Sequence, residues 1–170
     1  IFRYITLGTT LLQGLGIGLV FMRGWADTPA ERFSWMRLDL GNLGVLSVDY
    51  LVGIDGLNIG LILLSSLILT MGVVASWNIQ KYIKAYFALY LLIDTLIMGS
   101  FLALDFMLLY MFLEVSLLPI YCFISIWGGP RRTQAATKFL LYNFLGTIMI
   151  LMVLIGFGLS VYDPVATGLY

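Results

Sequence analysis

The chain has 170 residues, 61% of them hydrophobic and 11% charged, against about 25% charged in an ordinary soluble domain. Nine basic and nine acidic residues cancel, and no polybasic run marks a nucleic-acid partner. There is no histidine, the commonest haem, copper and zinc ligand, and the single Cys122 builds neither a disulfide framework nor a thiolate-ligated cluster, so no redox chemistry is expected inside this chain.

What remains is a membrane protein. Cutting the sequence at its charges leaves windows near the roughly 20 residues that a helix needs to cross the hydrocarbon core. The expected crossings are 4–22, 57–77, 85–104, 106–127 and 138–162, with Asp105 marking the tight turn between the third and fourth. Each is expected to be helical, because lipid offers the backbone no hydrogen-bond partner and the runs lack the period-two alternation of a barrel. The fold class is therefore all-α, with about five transmembrane helices in one membrane domain. Cys122 reads as a small hydrophobe within the fourth. Glycines 14, 16 and 18, and 146, 156 and 158, read as places where helices approach closely. The first apolar stretch lacks a small-residue cleavage pattern and does not read as a removable signal peptide.

The connection 24–56 is too long and mixed for a simple turn. Its Trp25, Trp35 and Tyr50 suit the headgroup layer, "VLSVDYLV" reads as a short strand or interfacial segment, and Asp55 before Gly56 reads as a helix N-cap. Sidedness follows from lysine and arginine positions. Arg3, Lys81, Lys84, Arg131, Arg132 and Lys138 fall on one side and Arg23, Arg32 and Arg37 on the other, so the N-terminus is expected on the cytoplasmic or matrix side.

Three ionisable residues stand at or near membrane depth, where a central charge costs about 2.5 to 3.5 kcal/mol on insertion scales. Lys138, at the expected start of the fifth helix, reads either as a snorkelling anchor or as a proton relay sharing a face with Tyr142. Asp94, halfway along the third, reads either as one end of a helix–helix hydrogen bond, with Thr95 adjacent, or as a relay. Glu114 is the foremost candidate. At 100° per residue, Tyr110 and Tyr121 fall within roughly 40° of it, a polar stripe that faces protein or water rather than lipid. Pro119 cannot donate to the carbonyl of Val115, so the backbone beside Glu114 is freed and prone to kink, with Ser116 or water to satisfy that carbonyl. A static packing bridge stays open as the alternative.

Four stretches carry a resemblance: "VGIDGLNIGLILLSSLI" with "SW", then "ALDFMLLYMFLEVSLLPIY", "ISIWGG" and "RTQAATKFLLYNFLG". They resemble the antiporter-like proton-pumping subunits of respiratory complex I, and within them the mitochondrial subunit 4 branch. The resemblance implies that Glu114 matches a key glutamate facing a lysine on a later, broken helix, and that Lys138 matches a lysine present in some members. Asp94 has no motif support. It further implies a mitochondrial inner-membrane location and partners among the other membrane-arm subunits and lipids. NADH, FMN, iron-sulfur clusters and ubiquinone would sit in other subunits, with none in this chain. Because the chain opens at Ile1 and lacks the family's later helices, it is expected to be an N-terminal part of the subunit, completed by a separate chain. A cation/proton antiporter subunit and a purely structural membrane-arm piece are the rival readings.

Overall fold

The computed structural model describes residues 2–24, 31–39 and 45–160; side chains of 34–39, 45–49 and 157–160, and Trp25 altogether, lie outside what is described. In chain order the elements are α1 (Phe2–Arg23), the strands β1 (Glu31–Asp39) and β2 (Val45–Val52), α2 (Asn58–Ala75), a 3-10 turn (Ser76–Asn78), α3 (Ile83–Leu102), α4 (Phe106–Trp127) and α5 (Arg132–Ser160). All five helices are long and apolar enough to cross a membrane. At 1.5 Å per residue, twenty residues span about 30 Å, the thickness of the hydrocarbon layer.

Consecutive helices are neighbours, and α1 also touches α3. The core lies where α2 and α3 meet: Ile62, Leu69 and Met98 form one buried cluster, and Val73, Tyr86 and Phe87 the other. α5 packs chiefly against α4 and leaves Tyr142, Leu145, Met149 and Val153 exposed, a face for lipid or further protein. It begins at Arg132 rather than Lys138, because no helix-breaking residue separates the two and the first turn tolerates charge.

The long connection holds a hairpin. β1 pairs antiparallel with β2 from Glu31↔Val52 to Asp39↔Val45, with an irregularity between Ser34 and Met36. Its exit is tied to the α3–α4 connection, where Gly53 N donates to Leu102 O at 3.0 Å and Leu104 N to Leu51 O at 2.9 Å. Tyr50 is exposed, as a headgroup-level aromatic should be.

Two turn expectations resolve differently. Asp105 caps α4, its carboxylate accepting from Met107 N at 2.7 Å and Leu108 N at 3.2 Å. Asp55 caps nothing with its side chain; instead its N–H donates to Asn58 Oδ1 at 2.7 Å, so the first residue of α2 clamps the turn in reverse. Asn58 also donates to Gly53 O at 3.0 Å and to Phe101 O at 3.1 Å, joining the hairpin exit, α2 and α3 at one buried side chain.

The glycine expectation is largely corrected. A methyl group at Gly16, Gly18, Gly146 or Gly156 would meet open space, and of that set Gly14 alone faces a neighbour, Ser66; the surroundings of Gly158 are not described. The tight α3–α4 approach is at Gly99, where an added Cβ would lie 2.6 Å from the Phe112 ring. Gly99→Ala is therefore expected to lower thermal stability by about 1 kcal/mol or more, within the usual cost of overpacking. Phe112→Leu in the same chain should recover most of the loss in a thermal-unfolding assay.

One end of the bundle collects charge and aromatic rings. Arg3 donates to Ile79 O at 2.7 Å, Lys81 and Arg132 both donate to Ile126 O at 3.3 and 3.1 Å, and Trp127 Nε1 donates to Lys81 O at 2.8 Å. The Tyr86 ring meets Phe123 and Trp127 edge-on at 4.8 and 5.1 Å between centroids. This is the geometry of an interfacial belt, with cations held where they reach water.

Candidate functional site: an unpartnered carboxyl on α4

Glu114 lies about two turns along α4 from Phe106, near the middle of the bilayer. Its face is fixed by the contacts of its helix. Phe112 meets Gly99 and Phe123 meets Tyr86, so that side of α4 is turned to α3. At 100° per residue Glu114 is about 160° round from Phe112, directed away from α3. Tyr110 and Tyr121 share its stripe and are half-buried.

The Oε2 of Glu114 is buried with no hydrogen-bond partner, and Glu114 forms no ion pair among the described residues. A buried, unmatched carboxylate oxygen is costly, by about 1 to 3 kcal/mol, so the position favours a partner that the described residues do not supply. Pro119 is buried within α4 and withholds the N–H that Val115 O would accept. Ser116 does not fill that role, because its hydroxyl donates to Leu113 O at 2.6 Å. The freed carbonyl thus remains beside Glu114 as a second acceptor.

Lys138 is elsewhere. It is exposed on α5 beside an open groove shared with Thr133, Gln134 and Thr137, and forms no ion pair among the described residues. Asp94 lies on the far side of the α3–α4 pair, buried at 4% exposure, with Oδ1 accepting from Gln13 Nε2 of α1 at 3.3 Å. Thr95 takes no part, since its hydroxyl donates to Leu91 O of its own helix. The structure therefore does not bring the three ionisable residues together. Gln13 escaped the sequence reading; its signal was the single amide of the first helix, at mid-span.

Residues 103–160 match the family described as NADH:quinone oxidoreductase/Mrp antiporter, transmembrane. The matched stretch holds α4 with Glu114 and Pro119 and most of α5 with Lys138. The whole chain is 36% identical over 160 residues to the chloroplastic NAD(P)H-quinone oxidoreductase chain 4 of Mesostigma viride, covering 94% of this chain and 31% of that protein. It is 34% identical over 153 residues to NADH-quinone oxidoreductase subunit M of Rhodobacter capsulatus, covering 90% and 29%. The chain thus spans less than a third of the length of these curated relatives. Bacterial and chloroplast proteins stand among them, so the likeness is not peculiar to mitochondria. The fold is similar to a chain of respiratory complex I from Thermus thermophilus with bound NADH, with a TM-score of 0.61 at 24% identity, over 91% of this chain and 34% of that one.

Proposed function

We propose that this chain is a membrane-arm segment of a proton-pumping NADH:quinone oxidoreductase, carrying part of a proton path through Glu114. The observation that carries the reading is the buried, unpartnered Oε2 of Glu114 on a stripe with two tyrosines. A carboxyl in that setting has no fixed partner, so a movable lysine that approaches and withdraws converts it into a proton-loading group. In this reading the lysine belongs to the remainder of the subunit, of whose relatives this chain spans less than a third. Lys138, exposed at the water-facing start of α5, passes protons between the groove and the path. Other membrane-arm subunits adjoin the chain, while NADH, FMN, the iron-sulfur clusters and ubiquinone belong elsewhere in the complex. The membrane is the mitochondrial inner membrane, with the end that gathers Arg3, Lys81 and Arg132 facing the matrix.

The rival antiporter reading is separated by the driving force. In vesicles containing the intact assembly, proton uptake is expected to require NADH and quinone and to be indifferent to sodium or potassium gradients. Proton flux driven by either cation in the absence of NADH would establish the antiporter instead.

A further inference from the structure

Asp94 has no part in the path just described, yet it is more deeply buried than Glu114. It lies about two turns from the end of α3, as Glu114 lies about two turns from the start of α4, so the two carboxyls share a depth on opposite sides of the α3–α4 contact. The groups around Asp94 are neutral. From α1 comes the Gln13 amide, beside Gly14, which faces Ser66 of α2. Further along the α1 side, Thr6 and Thr10 are buried at 1% exposure, with their hydroxyls donating to carbonyls of α1 itself. On α3, Tyr90 is one turn away, and its phenol donates to Leu69 O at 2.6 Å. Tyr110, Glu114 and Tyr121 of α4 are on that helix's other face. Among the described residues no lysine or arginine pairs with Asp94.

A carboxylate sealed at this depth with one amide for company is far short of the compensation an ion needs. A carboxylic acid fits: its carbonyl accepts from Gln13, and its proton is available to a neighbouring acceptor or to water entering the seam. We infer that Asp94 and Gln13 form a second proton-carrying site in the α1–α2–α3 seam, independent of Glu114. In each cycle the Asp94 O–H bond breaks as the proton leaves. Water entering the seam takes that proton, forming its own O–H bond, and the short-lived carboxylate keeps the Gln13 N–H until a proton from the opposite side restores the O–H bond; no electrons move. The inference deepens the proton-path reading but does not need Glu114 to be its carrier.

The test uses the intact complex in membranes, with infrared difference spectra between the oxidised and NADH-reduced states and proton yield per NADH. Wild type should show a protonated-carboxyl C=O band that shifts in D2O. Asp94→Asn, nearly isosteric and still able to accept from Gln13, should lose that band and give a lower proton yield, whereas Glu114→Gln should keep the band. Gln13→Leu should retain the band but move it to higher frequency, because the carbonyl loses its donor, and this reads the site even if Asp94→Asn assembles poorly. A band unchanged in both Asp94→Asn and Gln13→Leu, or an undiminished proton yield in assembled Asp94→Asn, overturns the inference. Full pumping in Glu114→Gln with the band still tied to Asp94 would instead overturn the Glu114 path and leave this site standing.

Discussion

Glu114→Gln is expected to stop proton transfer through this chain while leaving the complex assembled. Glutamine fills nearly the same volume and keeps a carbonyl oxygen where Oε1 or Oε2 now lies, so the packing of α4 changes little. What it cannot do is bind and release a proton. Because Oε2 is buried and unpartnered, the amide's N–H₂ would stand against surroundings that now offer the carboxyl oxygen no donor, and stability should move by only about 1 kcal/mol. The measurement is proton yield per NADH in vesicles, normalised to assembled complex. Glu114→Asp, which retains the acid on a shorter arm, should recover part of the yield. A structural bridge predicts the reverse pattern: normal yield per complex, with thermal stability or assembly lowered in both variants.

The candidate was legible in the sequence because its signals are local. A single acid in a lipid-compatible run, two tyrosines in helical register and a proline five residues on are all properties of one helix, and helix geometry converts them into a face without knowledge of the fold. The first four crossings were legible for a similar reason, being bounded by charge or by a short capped turn. The fifth began earlier than its charge suggested, since Lys138 is only one charge in a helical turn that can reach water. β1 was hidden because "ERFSWMRLD" contains no β-branched residue. Its register depends on β2, which in turn is held by backbone bonds to the α3–α4 connection. The Gln13–Asp94 pair joins residues 81 apart in sequence, a separation that no periodicity reveals. Small residues were misread for the same reason: whether a glycine faces a helix or lipid is decided by the neighbour, and Gly99 meets Phe112 while Gly16 meets nothing.

Asn58→Leu is expected to be the most damaging single change outside the ionisable residues. The Asn58 side chain is buried at 8% exposure and makes three hydrogen bonds, donating to Gly53 O and Phe101 O and accepting from Asp55 N. Leucine is similar in size, so no large cavity opens, but one N–H and two carbonyls lose this partner together. At about 1 to 3 kcal/mol for each buried polar group left unpaired, the loss is on the order of 3 kcal/mol or more. It falls on one joint, where the hairpin exit, the start of α2 and the end of α3 meet, just before the turn that Asp105 caps. Loosening it should expose 50–57 to protease in detergent-solubilised complex at temperatures where wild type is resistant, along with a lower unfolding temperature. Asn58→Asp separates the contributions: its carboxylate still accepts from Asp55 N but cannot donate to either carbonyl and faces both with negative charge. It should therefore be no more stable than leucine, and a wild-type unfolding temperature in either variant would show that the clamp holds nothing. Because the depth of α4 is set through this joint, Asn58→Leu should also lower proton yield per assembled complex, with the carboxyl of Glu114 intact but displaced from its path.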